Sequence, residues 1–260
     1  MVEWYHYLIA IVGGVLAGGI NTLAGNGSAI TLSILTEVLG LPGNLANGTN
    51  RVGVLSQSAA GSFAFYQHGK LDLIHSRQNI TWTVIGAICG VGLAIQISNE
   101  QFLFVFKYLM IAMLLVLLVK PKRWLKETSD HRKIQWWIAI PIYFALGIYG
   151  GFIQMGMGIF YLATMVLVAK YSMVEGNALK SFVVALYTLI VLAIFQYKGL
   201  VRWDIGLVLA AGQTVGGWYT AKFASRHPQA NKVAYWLLIV IVILALANMF
   251  GLLTLLCWWC

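Results

Sequence analysis

Apolar stretches long enough to enter a lipid bilayer recur along the whole chain, separated by short polar or glycine-rich interruptions. About 20 apolar residues cross the hydrocarbon core as a helix, so this pattern predicts a series of membrane segments. We expect ten, over residues 6–24, 28–41, 51–67, 79–98, 101–119, 135–154, 158–170, 181–197, 204–221 and 233–257. The second and seventh segments have only about 13 or 14 residues, too few to cross upright, and are predicted to be half-helices or strongly tilted pieces.

The two halves of the chain repeat the same landmarks about 130 residues apart, which predicts an internal duplication of five segments each. The matching pairs are Gly25-Asn26-Gly27 with Gly156-Met157-Gly158, Ala46-Asn47-Gly48 with Gly176-Asn177-Ala178, and Phe65 and Gly69 with Phe195 and Gly199. Because five is odd, the second half would enter the membrane from the opposite side. The predicted fold class is an all-α integral membrane protein of two inverted five-segment repeats with broken or re-entrant helices.

The domain organisation follows from one strongly polar stretch near the middle of the chain. The first membrane repeat is predicted over residues 1–119, a cytoplasmic linker over 120–134, and the second membrane repeat over 135–260. Composition agrees, because 60% of the residues are hydrophobic and only 10% are charged, with a mean hydropathy of +0.81. A soluble domain carries about 25% charged residues, so a soluble globule is excluded.

The net charge of +9 would indicate nucleic-acid binding in a soluble protein, but here its placement gives another meaning. With both termini outside, twelve of the seventeen Lys and Arg residues fall in predicted cytoplasmic loops. The outer loops keep little more than Lys198 and Arg202. The charge therefore orients the protein by the positive-inside rule, and no nucleic-acid partner is expected.

Two stretches, Asn21 to Ser28 and Gly150 to Gly158, interrupt the helical pattern at matching places in the two halves. Non-helical backbone at membrane depth is tolerated where it is buried in protein or lines a wet cavity, and helix N-termini there would offer N–H groups to an anion. The alternative is that these glycines only allow helices to pack closely.

A second matching pair of stretches carries two cations, Arg51 and Lys180, predicted at the starts of the third and eighth segments. A charge near the apolar zone costs roughly 2.5 to 3.5 kcal/mol, so it is normally kept for a pathway or a partner. The alternative is that both side chains extend to the interface. The candidate substrate-binding residues are Asn21, Gly25, Asn26, Gly27, Ser28, Asn47, Asn50, Arg51, Gln154, Gly156, Gly158, Asn177, Lys180 and Ser181.

No catalytic motif accompanies these residues: there is no Walker A sequence, no HExxH and no GxSxG. The five histidines lie near segment ends or in loops without metal-ligand spacing. We therefore expect neither an enzyme nor a cofactor or metal site. A lone Cys257-Trp258-Trp259-Cys260 has CxxC spacing but no second pair, and its role stays open.

The four stretches around Gly25, Asn47, Gly156 and Asn177 resemble the sulfite exporter TauE/SafE family of membrane permeases over nearly the whole chain. The chain departs from the family's richer glycine clusters where Ser28 and Ala29 follow Gly27 and where Met157 interrupts the second cluster. The resemblance implies export or exchange of sulfur-containing anions, such as sulfite or organosulfonates, across a bacterial plasma membrane.

Residues and resemblance together predict a secondary transporter that binds a small oxyanion at the repeat interface near the membrane midplane and works by alternating access. The main alternative is a membrane scaffold or assembly factor without transport. A metal or cation permease is disfavoured, because the predicted centre lacks carboxylates and soft ligands. Glycine-rich membrane helices often associate, which leaves a homodimer open.

Overall fold

The computed structural model describes residues 4–73, 76–96, 98, 100, 101 and 134–227, with isolated positions between 108 and 118 and between 229 and 243. All regular secondary structure in this part of the chain is helical, as predicted. The predicted fifth and tenth segments lie largely outside the described residues. Residues 120–133 of the predicted linker and the Cys257 to Cys260 stretch lie entirely outside them.

Eight helices cover the described part of the chain, four in each half. In the first half these are α1 (Trp4–Ala24), α2 (Ser28–Ser33) with a π-helical turn at Ile34–Val38, α3 (Gly43–Gln67) and α4 (Arg77–Ala94). In the second half they are α5 (Trp136–Phe152), α6 (Met157–Ala163) with a π-helical turn at Thr164–Val168, α7 (Met173–Tyr197) and α8 (Trp203–Arg226). The two predicted short segments are thus confirmed as short helical pieces.

The third helix and the π-helical turn have the same length in both halves. Helices α3 and α7 both have 25 residues, and the two π-helical turns both have five. The residue two positions after each turn, Gly40 in one half and Lys170 in the other, has the same left-handed φ of 65°. Lys170 adopts this left-handed conformation although it has a side chain, and its Nζ donates to Leu167 O at 2.6 Å.

Helices α3 and α7 begin eight residues earlier than predicted, at Gly43 and Met173 instead of residues 51 and 181. Hydropathy places the boundary too late because both helices open with polar residues that are buried against other helices. At α7 the start is fixed by a capping box, in which Ser172 Oγ accepts from Glu175 N and Glu175 Oε2 accepts from Ser172 N. Arg51 and Lys180 therefore lie two helical turns inside their helices rather than at the ends.

The helices of one half pack mainly on helices of the other half, so the halves do not form separate bundles. Helix α1 packs on α8, α4 packs on α5, and α3 packs on both α7 and α8. The first two crossings are made by glycines four residues apart: Gly14 and Gly18 against Gly212 and Gly216, and Gly86 and Gly90 against Gly147 and Gly151. A Cβ on Gly14 would lie only 2.9 Å from Leu209 O, so these glycines let helix backbones touch.

The corresponding helices α3 and α7 run in opposite directions. Near the start of α3, a Cβ on Gly48 would lie 3.1 Å from Phe195 Cδ1 at the end of α7, and near the end of α3 a Cβ on Gly61 would lie 3.8 Å from Ser181 Oγ. Helix α8 is parallel to α3. Arg202 N donates to Thr49 Oγ1 at one end (2.9 Å), and Arg226 Nε lies 3.0 Å from His68 Nε2 at the other.

The described surface is apolar and the interior is partly polar, the reverse of a soluble protein. Leu16, Leu189 and Leu207 are each 58% exposed, whereas many asparagine, serine and threonine side chains are buried. By length and composition, α1 and α7 are able to cross a membrane. Lipid is the environment that this distribution suits, because it solvates the leucines and leaves polar groups to be satisfied inside.

Candidate functional site

The two interruptions of the helical pattern meet in the centre of the described fold. A Cβ on Gly25 would lie 2.7 Å from Gly158 Cα, and a Cβ on Gly158 would lie 2.5 Å from Gly25 Cα. Gly25 has a φ of 76°, which strains any residue with a side chain. The breaks between α1 and α2 and between α5 and α6 are therefore in backbone contact, and only glycine at these two positions permits it.

Arg51 of α3 binds the end of the broken helix of the other half. The side chain is fully buried (0% exposed), and its Nη1 donates to Gly150 O at 2.9 Å while its Nη2 donates to Gly151 O at 3.1 Å. Nearby, Asn47 Nδ2 donates to Phe152 O at 3.4 Å. These are carbonyls of the last turn of α5, which have no partner within the helix and attract positive charge.

Lys180 of α7 makes the reciprocal contact with α1. Its Nζ donates to Asn21 O at 2.7 Å, to Thr22 O at 3.0 Å and to Asn177 Oδ1 at 2.6 Å. Asn177 Nδ2 in turn donates to Leu23 O at 3.0 Å. The third helix of each half, α3 or α7, thus supplies one cation and one amide to the broken helix of the opposite half. Lys180 is only 3% exposed, so the alternative that both cations extend to the interface is wrong.

The charges of Arg51 and Lys180 are balanced by carbonyl dipoles rather than by acids. Among the described residues, the contacts of these two side chains include no carboxylate. An ion pair between an arginine and a carboxylate lies instead at the exposed start of α8, where Asp204 binds Arg202. Two buried positive charges without an acid are costly in a low-dielectric interior, and a bound anion would offset that cost.

Gln154 is held in the second break by two hydrogen bonds to its side-chain oxygen. Its Oε1 accepts from Arg51 Nη1 at 2.7 Å and from Tyr187 Oη at 2.8 Å, and its own backbone has a left-handed φ of 64°. Sequence reasoning missed Tyr187, because an aromatic residue in the apolar run of α7 resembles ordinary core. Its position ten residues after Asn177, opposite Gln57 in the first half, was the available signal.

The amides of the first break form a corresponding network. Asn21 Nδ2 donates to Gln57 Oε1 at 2.6 Å, and Gln57 Nε2 donates to Thr22 Oγ1 at 2.9 Å. Thr31 Oγ1 on α2 donates to Asn50 Oδ1 at 2.5 Å. Thr31, which the sequence did not single out, therefore joins the short helix α2 to α3 beside Arg51.

Several predicted site residues keep buried polar atoms that have no hydrogen-bond partner among the described residues. Such atoms are rare in folded proteins, since most buried polar groups bind protein, water or a ligand. Similar atoms occur elsewhere, on Ser76, Thr188 and Gln213. In the predicted set they are Asn26 Nδ2 and Oδ1, Ser28 Oγ, Asn47 Oδ1, Asn50 Nδ2, Arg51 Nε and Ser181 Oγ.

Some backbone N–H groups in the two breaks donate to carbonyls of the chain, and others do not. Gly25 N donates to Asn21 O at 3.0 Å, so this N–H is engaged within the chain, and the contribution of Gly25 is its close contact with Gly158. Met155 N and Met157 N are likewise donors within the second break. In the described part of the chain, the N–H groups of Asn26, Gly27, Ser28, Gly156 and Gly158 donate to no backbone carbonyl.

Comparison with known proteins gives a consistent result. A family model described as sulfite exporter TauE/SafE matches residues 10–249. The chain is similar to the probable membrane transporter protein ORF9 of Sinorhizobium sp, with 25% identity over 243 residues, 92% of this chain and 90% of that one. It is also similar to the probable membrane transporter protein YfcA of Escherichia coli (strain K12), with 27% identity over 218 residues, 82% of this chain and 77% of that one. No solved structure matches the chain significantly.

The family match begins within α1 and extends beyond α8, so it includes both breaks and both buried cations. A third relative, a probable membrane transporter protein of Haemophilus influenzae, shares 25% identity over 210 residues, 80% of this chain and 81% of that one. The chain therefore belongs to the sulfite exporter TauE/SafE family of membrane transporters.

Proposed function

We propose that this protein is a secondary transporter that exports small sulfur-containing oxyanions such as sulfite or organosulfonates. The observation that carries this proposal is the pair Arg51 and Lys180, two buried cations that contact no carboxylate among the described residues. They bind the broken helices of opposite halves at the point where the two breaks touch. A positive centre that is shared by both halves suits a small anion.

The donor chemistry of the centre supports an oxyanion over a metal cation. Beside the two cations lie amide and hydroxyl groups with unpartnered atoms, such as those of Asn26, Asn50 and Ser181. In the described part of the chain, no group of three or more His, Cys, Asp or Glu side chains is arranged to hold a metal ion. The preference for sulfur among oxyanions rests on the family description.

The proposed arrangement in the membrane is two inverted repeats of five segments each, with both termini outside a bacterial plasma membrane. The opposite directions of α3 and α7 support the inversion. The contact of Arg226 with His68 supports the orientation, because it brings the basic ends of α3 and α8 to one face. Arg202 lies at the other end of α3, where its N–H binds Thr49, and Lys198 follows the end of α7. A homodimer remains a prediction from glycine content alone.

Alternating access would follow from rocking of one half against the other around the shared centre. The two glycine crossings, α1 with α8 and α4 with α5, are close backbone contacts between the halves, and rocking would have to shift the helices at these crossings. At the centre the halves are joined by hydrogen bonds from Arg51 and Lys180 to backbone carbonyls of the opposite half. An anion bound there would be passed from one side of the membrane to the other as the breaks move.

The proposal is tested by flux of radiolabelled sulfite into liposomes that contain the purified protein. We expect flux from the wild type, and a strong reduction in Arg51→Ala and Lys180→Ala variants that remain folded. Lys198→Ala, which removes an exposed cation at the end of α7, serves as the control. Wild-type flux and affinity in both site variants would reject the site. Failure of the wild type to bind or move any sulfur oxyanion would favour the scaffold alternative.

A further inference from the structure

The two buried cations differ in how many of their hydrogen-bond donors are used. An ammonium group has three N–H donors, and Lys180 Nζ binds three acceptors: Asn21 O, Thr22 O and Asn177 Oδ1. All three of its N–H donors are therefore used within the protein. A guanidinium group has five donors, and the structure records three bonds for Arg51.

The three bonds of Arg51 leave one particular edge of the guanidinium unused. Nη1 donates to Gly150 O and to Gln154 Oε1, and Nη2 donates to Gly151 O. Consecutive carbonyls accept from the two terminal nitrogens, as expected for the end of the fork. Nε is buried and has no partner among the described residues, and one hydrogen remains on the adjacent Nη2. These two N–H groups point the same way on the planar group.

We propose that Arg51 binds the transported anion directly through Nε and Nη2, and that Lys180 does not touch it. This rests on the proposed function. Two parallel N–H groups fit two oxygens carried by one atom, as in sulfite, a sulfonate or a carboxylate, and fit a monatomic anion less well. Lys180 is then a positioning residue, which holds the end of α1 and adds positive charge to the centre without a direct contact.

The surroundings of Arg51 favour a ligand at this edge over an empty space. A buried donor without an acceptor costs about as much as a lost hydrogen bond, so a native structure rarely keeps one without water or a ligand. Asn50, the neighbouring residue on α3, also keeps its Nδ2 without a partner while its Oδ1 accepts from Thr31. The guanidinium is held in place, because Arg51 Cζ lies over the Phe195 ring, 5.7 Å from its centroid, and Gln154, which accepts from Nη1, is fixed by Tyr187.

The test exchanges the two cations one at a time while keeping the charge. In Arg51→Lys the two-donor edge is lost, so we expect the affinity for sulfite to fall by about tenfold or more. In Lys180→Arg the edge of Arg51 is intact, so we expect a clearly smaller loss of sulfite affinity than in Arg51→Lys, whereas Lys180→Met lowers the transport rate. Thermal unfolding of each variant identifies any that fail to fold.

Two outcomes would overturn the inference: wild-type affinity in Arg51→Lys, as expected if the edge binds only water, or an equal loss in Lys180→Arg. If Arg51→Lys does not fold, competition against the wild type decides. Methanesulfonate and acetate should displace sulfite, and chloride and bromide at equal concentration should not. Equal competition by the halides rejects a two-oxygen edge. A wild type that binds no anion rejects the proposed function as well, whereas wild-type binding with an intact Arg51→Lys rejects this inference alone.

Discussion

Lys180 Nζ lies 2.7 Å from Asn21 O, and this bond joins the second half of the chain to the end of the broken helix in the first half. Arg51 makes the matching bond to Gly150 O from the first half to the second. The breaks at which a transporter of this kind would hold its substrate are thus each secured by the other half. Movement between the halves and the geometry of the centre are consequently coupled.

Removing Lys180 should destabilise the protein as well as slow transport. In Lys180→Met, the carbonyls of Asn21 and Thr22 and the amide oxygen of Asn177 lose their common donor. The variant no longer buries a charged ammonium group, which offsets part of the lost stability. We expect a net loss of about 1–3 kcal/mol in the free energy of unfolding. Thermal or denaturant unfolding in detergent measures it. Lys198→Met is the matched surface control, and a Lys180→Met protein as stable as the wild type would contradict the capping role.

The two capping asparagines should behave alike but not identically. Asn47→Ala and Asn177→Ala each remove a side-chain donor from the last turn of a broken helix, at a cost of about 1 kcal/mol. Asn177→Ala should cost more, because Asn177 Oδ1 also accepts from Lys180. Unfolding of both variants beside Gln67→Ala, which removes an exposed amide from the end of α3, measures the difference. The reverse order of stabilities would argue against the Lys180 contact.

Adding a methyl group where the breaks touch should separate the two halves. Gly158→Ala places a Cβ 2.5 Å from Gly25 Cα and 3.1 Å from Lys180 Cδ, so backbone must move. We expect a loss of about 1–3 kcal/mol in stability together with reduced sulfite flux. Gly92→Ala is the control, because a Cβ on Gly92 meets nothing within 4 Å and alanine favours helix α4. Normal stability and flux in Gly158→Ala would show that this contact is not needed.

The proposed orientation predicts which residues react with reagents on each side of the membrane. In a background without native cysteines, Lys198→Cys should react with an impermeant maleimide added to intact spheroplasts. Gln67→Cys, at the opposite end of α3, should react only after the membrane is opened. Labelling of both positions from the same side would refute the opposite directions of α3 and α7 in the membrane, and the reverse pattern would refute the assignment of the outside.

Hydropathy and spacing located the breaks and the two short helices but misjudged where the long helices begin. The breaks were visible because glycines in register coincide with segments too short to cross. The starts of α3 and α7 were misplaced because Asn47, Thr49 and Asn50 lower the local hydropathy while being buried by other helices. A hydropathy average does not distinguish a polar residue that faces protein from one that faces water.

The two cations were found as unusual charges in an apolar chain, but their partners were not predictable. Lys180 binds carbonyls of Asn21 and Thr22, more than 150 residues away, and a backbone carbonyl carries no mark in the sequence. The roles of Gln154 and Tyr187 were also hard to predict, and that of Tyr187 was the harder of the two. The glutamine lies in a visible break, whereas the tyrosine gains its role only from the oxygen that it meets in the fold.

The central claim is that a small oxyanion binds where the two breaks meet, beside Arg51. Crystals grown with 2-bromoethanesulfonate would test it most directly, because bromine gives an anomalous signal that locates the ligand. The account predicts a bound sulfonate with two oxygens within hydrogen-bond distance of Arg51 Nε and Nη2, close to Gly25 and Gly158. A fully occupied sulfonate elsewhere, with the Arg51 edge filled by water, would contradict it.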